Sequence, residues 1–270
     1  MNEITEREFI DLTEFIYKNF GIHIKENKKI LLSGRLTSLF IGGSYENYSY
    51  LIDKLKKGDT NAISDLIEKI TTRHTFFLRE NSHFDYLTQT VLPEMEEKLK
   101  ERDLRIWCSA CSTGEEAYTI AILLQEYFGK SKIFWDMKLL ATDLSESALK
   151  TAVEGIYSEE KVRNLPQTWI NKYFEKADNG NFIITDDVKN EIYFRKFNLK
   201  KSDFNFKKKL HIIFCRNVMI YFDEKNQKEL VEKLYDSLEY GGYLFIGHSE
   251  SIMRDDSSFK YVMPAVYKKI

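Results

Sequence analysis

The stretch Cys108-Ser109-Ala110-Cys111-Ser112-Thr113-Gly114-Glu115-Glu116 carries the densest chemistry in the chain. Small side chains there let a backbone turn tightly and approach a ligand, and an amphipathic helix follows. One strand-helix unit later, the apolar run Met137–Thr142 closes on Asp143. An acid at that place suits the two hydroxyls of a ribose, although it suits a helix cap equally well. Together these features suggest a nucleoside-containing cofactor. The turn is not a dinucleotide fingerprint, because Gly114 stands alone where G-x-G-x-x-G needs three glycines. The two glutamates that follow gain from a helix dipole but repel a pyrophosphate, and they attract an ammonium group. Ribose, amino group and no phosphate describe S-adenosylmethionine, and so methyl transfer rather than hydride transfer.

Trp107-Cys108-Ser109-Ala110-Cys111 also matches the W-C-x-x-C redox pattern. Against that reading, the motif lies deep in the chain, and Pro166 and Pro264 are poorly placed to supply a cis-proline partner loop. Cys108 falls in phase with Leu104 and Ile106, as a buried strand residue would.

The elements that must position these residues have two grammars. Up to residue 70 the pattern is helical. Phe9, Leu12, Thr13 and Ile16 mark one face, and Leu32, Leu36 and Leu39 mark a second helix from Asn27 to Phe40. Tyr48, Leu51, Ile52 and Leu55 mark a third, and Ile63, Leu66, Ile67 and Ile70 a fourth. From residue 100 the pattern is strand, turn, helix. Leu104–Ala110, Met137–Thr142, Leu210–Cys215 and Tyr243–Gly247 read as buried strands alternating with helices Glu115–Phe128 and Glu224–Leu238. That alternation predicts an α/β fold with a parallel, doubly wound sheet, whose ligands bind beyond the carboxyl ends of its strands. The runs FIIT and EIYFRKF around Asn179-Gly180-Asn181 predict a small antiparallel β insertion over residues 155–200. The expected domains are therefore 1–75, all-α, and 76–270, carrying the sheet.

Composition narrows the class further. With 12 Gly and 3 Pro in 270 residues the chain is neither disordered nor collagen-like. No run reaches the roughly 20 apolar residues of a membrane span, and the acidic start MNEITEREF has no apolar signal core, which predicts a cytoplasmic protein. Three cysteines make no disulfide framework. A net charge of −2 disfavours nucleic acid as partner.

Three segments, read together, resemble the chemotaxis-receptor methyltransferases, the CheR family. The first is Thr71-Thr72-Arg73-His74-Thr75-Phe76-Phe77-Leu78-Arg79-Glu80, followed by Phe84. The second is Ser112-Thr113-Gly114-Glu115-Glu116-Ala117-Tyr118, with Ala141-Thr142-Asp143-Leu144. The third joins Phe197-Asn198-Leu199, Phe214-Cys215-Arg216-Asn217-Val218-Met219-Ile220-Tyr221-Phe222-Asp223 and Gly247-His248-Ser249-Glu250.

The resemblance implies a class I (Rossmann-like) S-adenosylmethionine methyltransferase sheet preceded by a small all-α domain. It implies a monomer that esterifies glutamates on the cytoplasmic helical domain of chemoreceptors, leaving S-adenosylhomocysteine as product. Carried over residue by residue, Thr75 and Arg79 hold the cofactor, the arginine pairing with its carboxylate. Glu115 faces its amino group and Asp143 its ribose. Arg73, Asn198, Leu199, Arg216 and Asn217 complete the contacts, with Asn217, Tyr221 and Arg79 aligning the methyl-transfer end. The family usually has asparagine at Arg73 and proline at Ala117; the second change should matter little, since proline in a first turn only preorganises. A glutamate acceptor is already ionised at neutral pH, so no essential acid or base and no metal is expected. A nucleic-acid or small-molecule methyltransferase would share the cofactor site, and a non-catalytic scaffold would have lost it.

The small net charge conceals segregation. Residues 1–14 hold five acids and one base, whereas residues 15–35 hold five bases and one acid. Lys28, Lys29 and Arg35 are thus candidates to meet an acidic receptor helix, Lys28 and Arg35 sharing a face by their spacing.

Overall fold

A computed structural model describes residues 3–200, 203–252 and 258–270. Four helices open the chain: α1 (Glu6–Phe20), α2 (Lys29–Ile41), α3 (Tyr48–Lys56) and α4 (Thr60–Ile70). The boundaries of α1 are set locally. Thr5 and Glu8 cap each other's backbone N–H, and Gly21 ends the helix in the left-handed region. Asn47 and Asp59 cap α3 and α4 in the same way, by accepting first-turn N–H groups. Phe9, Leu12, Ile16, Leu32, Leu36, Leu51, Leu55 and Leu66 close over a separate apolar core. Thr13 and Ile63, expected on the inner faces, are only partly buried.

A short segment of α5 (Ser82–Tyr86), a π turn (Leu87–Val91) and α6 (Leu92–Lys98) leads into the sheet. Its strands are β1 (Ile106–Cys108), β2 (Leu139–Asp143), β6 (Ile192–Lys196), β7 (Leu210–Cys215), β8 (Leu238–Ile246), β9 (Phe259–Met263) and β10 (Val266–Lys269), in the order β6-β2-β1-β7-β8-β10-β9. From β6 to β8 neighbours run parallel; β10 is antiparallel to both β8 and β9. Between the strands come α7 (Glu115–Phe128), α8 (Glu146–Glu154) and, before β8, α12 (Glu224–Ser237). Every residue of β1 and β7 is buried, as befits central strands covered on both faces.

Two sequence expectations change here. The sheet is mixed, because the C-terminal hairpin β9–β10 was not legible: its turn, Pro264-Ala265, lacks the usual Asn or Gly although Ala265 sits at φ +62. The run EIYFRKF is not part of the insertion. It is β6, the edge strand of the main sheet, paired parallel to β2. An edge strand with one wet face alternates as an antiparallel strand does, and Tyr193, Arg195 and Lys196 are exposed. The insertion proper is β3 (Ile156–Tyr157), β4 (Phe174–Lys176) and β5 (Phe182–Ile184) in the order β3-β5-β4, with α9 (Glu159–Val162), α10 (Gln167–Tyr173) and α11 (Asp186–Lys189) around it.

The helical domain docks against the carboxyl ends of the central strands. Ile22 bridges to Phe222, and the His23 N–H donates to the Tyr221 carbonyl at 2.8 Å. Asn198 Nδ2 donates to the Asn19 carbonyl at 2.8 Å and the Tyr17 hydroxyl to Asp223 at 2.9 Å. Any ligand at the strand ends therefore meets both domains.

Candidate active site

Beyond the ends of β1, β2, β6 and β7 lies a cavity roofed by the helical domain. Its apolar walls include Phe20, Ile22, Ile70, Leu144, Phe197 and Phe222. Its polar lining includes Arg73, Thr75, Arg79, Asp143, Asn198, Arg216, Asn217 and Tyr221, with Leu199 behind them.

Gly114 makes the floor possible. At φ +100 it turns β1 into α7, and a Cβ there would come within 2.9 Å of both Ala152 Cβ and Tyr157 Oη. Asp143 ends β2 with each carboxylate oxygen holding a backbone amide, Oδ2 that of Ser112 at 2.8 Å and Oδ1 that of Ser145 at 2.9 Å. Burial raises its pKa above the usual carboxylate range, against the pull of those N–H groups and of Arg73. Ser112 Oγ, also lining the cavity, is buried without a hydrogen-bond partner. Such an orphan calls for a polar ligand atom. Apolar walls for a base, an acid for ribose hydroxyls and this free hydroxyl fit the nucleoside cofactor expected from the sequence.

Glu115 is the exception among the expected residues. Its carboxylate has no exposed surface and does not line the cavity; it is gripped by Lys161 at 2.5 Å and Thr113 Oγ1 at 2.6 Å. One position on, a further 100° round the helix, Glu116 does line the cavity. The sequence places two acids at one helix terminus, and only the helix phase decides which faces the ligand. Glu116 also accepts from Arg216 Nη1 at 2.7 Å and from Cys108 Sγ at 3.2 Å.

Arg216 is more strut than ligand grip. Its side chain has no exposed surface, and Nη2 donates to Glu80 at 3.0 Å, so the guanidinium bridges two carboxylates. Burial alone would raise the Glu80 pKa, but Asn217, Arg216 and the His248 N–H outweigh it and hold it low. Arg79 donates from Nη1 to the His74 carbonyl at 2.7 Å and lies over the Phe76 ring at 5.8 Å. Arg73 is ion-paired with Glu68 and donates to Ser145 Oγ at 3.3 Å. It ties α4 to the N-terminus of α8 at the rim of the cavity. Asn198 Oδ1 accepts the Lys200 N–H at 2.9 Å, so with its bond to Asn19 this amide also serves the domain junction.

Sequence reasoning missed Glu250. This half-buried carboxylate accepts four backbone amides: Asn217 at 2.9 Å, Met219 at 2.7 Å, Ile220 at 3.3 Å and Gly247 at 2.6 Å. Burial nonetheless raises its pKa. It clamps the turn that carries Asn217, at φ +56, and Tyr221. Gly247 must be glycine for this turn, since a Cβ would come within 2.3 Å of Asn217 Nδ2. The quoted run Gly247-His248-Ser249-Glu250 was the available signal; its acid has no role that spacing alone reveals.

The redox reading fails chemically. Cys108 and Cys111 are buried with thiol pKa values pushed well up, chiefly by desolvation, so neither is a ready thiolate. The basic candidates separate as well. Lys28 is exposed in a 3-10 turn (Glu26–Lys28) that precedes α2 rather than on its face. Lys29 pairs with Glu6, and Arg35 turns inward to the Ile70 carbonyl and Thr72 Oγ1, both at 3.2 Å.

Comparison with known proteins accords with this geometry. Residues 7–71 match the CheR methyltransferase all-alpha domain, and residues 73–267 the CheR methyltransferase SAM binding domain. A chemotaxis protein methyltransferase of Borreliella burgdorferi is 43% identical over 98% of this chain and 95% of its own length. The chemotaxis protein methyltransferase 2 of Vibrio cholerae is 32% identical over 96% and 91%. The solved glycopeptide N-methyltransferase MtfA with bound S-adenosyl-L-methionine overlaps 65% of this chain and 51% of its own at 15% identity, with a TM-score of 0.37, too loose a match to bear on the site. Two adjoining family domains and relatives aligned along nearly the whole length leave one conclusion: the protein belongs to the CheR methyltransferase family, whose cofactor is S-adenosylmethionine.

Proposed function

We propose that the protein transfers the methyl group of S-adenosylmethionine to glutamate side chains of chemotaxis receptors, forming methyl esters in the cytoplasm, as a monomer. The division of labour falls near residue 75, the helical domain meeting the receptor and the sheet domain carrying the cofactor. The observation that carries the carboxylate acceptor is the state of the acids beside Asn217. Glu80 and Glu116 are held by Arg216, and Glu250 by four backbone amides. Glu80, whose pKa is held low, is not disposed to take a proton, the other two acids are already engaged within the fold, and an ionised carboxylate acceptor has no proton to give up.

Bound S-adenosylmethionine supplies an electrophilic methyl group on a sulfonium. The chain's own part is alignment and exclusion of water. Asp143 takes the ribose hydroxyls, Arg79 the cofactor carboxylate and Glu116, in place of Glu115, its amino group. Asn217 and Tyr221, set by the clamped turn, orient the acceptor. Transfer of labelled methyl to receptor-containing membranes, released as methanol by mild base, tests the assignment; base-stable label, or none, refutes it.

One imidazole lines the cavity among the described residues, that of His74, which is exposed. If a carboxylate is the acceptor, His74→Ala keeps kcat within about threefold of the parent, whereas loss of a general base costs roughly 100-fold or more. A drop of that size in kcat would point to an acceptor that must lose a proton.

Receptor approach is assigned to the exposed bases ahead of α2. Lys25→Glu with Lys28→Glu is expected to lower kcat/KM for receptor several-fold at low salt and little at high salt, because steering between exposed charges is screened. Arg35 is a poorer probe, its guanidinium being engaged within the domain. An equal rate for parent and double variant at low salt would remove this surface from recognition.

A further inference from the structure

Behind the turn that carries Asn217, three potential ligands converge. Glu80, His83 and His248 each offer one oxygen or ring nitrogen, and these atoms lie within 4.8 Å of one another. They come from the turn before α5, from α5 itself and from the loop after β8, and none has a role in the cofactor contacts proposed above except Glu80, which braces Arg216 and Asn217. His83 is the unusual member. Its side chain has no exposed surface, and neither ring nitrogen has a partner at good hydrogen-bond geometry, the Pro264 carbonyl lying nearby. Nδ1 lies 3.7 Å from Glu80 Oε2, and the His248 ring packs edge-on at 4.5 Å between centroids.

A buried imidazole without a partner is costly unless something occupies its lone pair. Local charge also permits a cation. Arg216 is already flanked by Glu80 and Glu116, and Glu250 adds a third carboxylate. Zinc–nitrogen bonds of about 2.0–2.1 Å place tetrahedral ligand atoms roughly 3.3 Å apart. The His83–Glu80 pair is already near that spacing. His248 is exposed and its ring is hydrogen-bonded to Ser82 Oγ at 3.3 Å, so the ring can swing inward, and it opens the path by which an ion enters.

We propose that Glu80, His83 and His248 form a binding site for one divalent transition-metal ion of the zinc class, and that its occupation opposes binding of S-adenosylmethionine. Two imidazoles and one carboxylate select Zn2+, Ni2+ or Cu2+ over Mg2+ or Ca2+. The opposition follows from Glu80. An ion that draws its carboxylate away loosens Asn217 Nδ2, held at 3.1 Å, and leaves the buried Arg216 with one acid instead of two. Both line the cofactor cavity.

The test uses the full-length protein, freed of metal by chelator and titrated with Zn2+ in a calorimeter. One ion per chain is expected, and His248→Ala, a change at an exposed residue, should weaken it by at least about tenfold. Co2+ used as a spectroscopic stand-in should give the intense visible bands of a four-coordinate ion in the parent and not in the variant. No stoichiometric Zn2+ binding, or equal binding by His248→Ala, overturns the site; the second result would put the ion on His23, His74 or His211. In the coupling arm, stoichiometric Zn2+ should raise the Kd for S-adenosylmethionine several-fold in the parent and leave it unchanged in the variant. An unchanged Kd in the parent overturns the antagonism. Cofactor binding without zinc is measured in the same series, so failure of the metal site is not confused with failure of the cofactor site.

Discussion

Replacing Asp143 with alanine should raise the Kd for S-adenosylmethionine by about 100-fold or more, making it the most damaging single change in the cofactor cavity. Each hydrogen bond from a ligand hydroxyl to a carboxylate contributes about 1.5–3 kcal/mol, and ribose offers two. The alanine variant also strips the Ser112 and Ser145 amides of their acceptor, which loosens the turn after β1 and the start of α8 together. Asp143→Asn separates the two effects. Its single amide oxygen still accepts one of those N–H groups, so the domain should stay folded while cofactor affinity falls by roughly tenfold or more. Calorimetric titration of both variants, with circular dichroism to verify folding, measures this. A folded Asp143→Asn protein with parental affinity would remove the ribose from this carboxylate and leave Asp143 a helix cap, the alternative its position always allowed.

The second large effect is expected at a residue outside the cavity lining, one step behind Asn217. Glu250→Ala should lower kcat by about 100-fold or more while changing the Kd for S-adenosylmethionine much less, since an orphaned amide costs about 1–3 kcal/mol when buried and three part-buried ones lose their acceptor at once, with the exposed Ile220 N–H left to water. The turn they hold carries Asn217 in a left-handed conformation and delivers Tyr221 to the cavity, so the loss falls on alignment, where misplacement of about 1 Å costs some 100-fold. Glu250→Gln should lie between the parent and alanine. Its oxygen can serve Met219 and Ile220, but its amide nitrogen then faces the Asn217 and Gly247 N–H groups, donor against donor. A Gln variant with parental kcat, or an Ala variant in which cofactor affinity and kcat fall in equal proportion alongside the unfolding midpoint, would mean that Glu250 supports the fold without aligning the reaction.

Both residues were visible in the chain, yet only one was recognisable. Asp143 stands at a strand end after a run of apolar residues, and strand alternation alone brings it to the carboxyl edge of the sheet. Glu250 follows β8, and its partners lie some thirty residues earlier, beyond the end of β7. Nothing in local spacing pairs them; the parallel register of β7 and β8 does. The choice between Glu115 and Glu116 is a similar case at smaller scale. Charge at a helix terminus is a sequence property, whereas which acid meets the ligand depends on the phase in which α7 leaves Gly114 and on Lys161 arriving from the insertion.

By itself the sequence determined the helical faces of α1 to α4, the buried central strands, the small-residue turn and the acid that answers it, because each depends on contacts within one or two elements. Its ordered motifs also carried the family. What the tertiary structure alone decided is which side chains are already engaged. Arg73 and Asn198 line the cavity and at the same time hold the chain together, with Glu68 and with Asn19, while Arg35 and Glu115 are engaged away from it, with the end of α4 and with Lys161. A charged or amide group makes its strongest bonds with partners brought within 3 Å by long-range packing, and composition and spacing do not encode that distance.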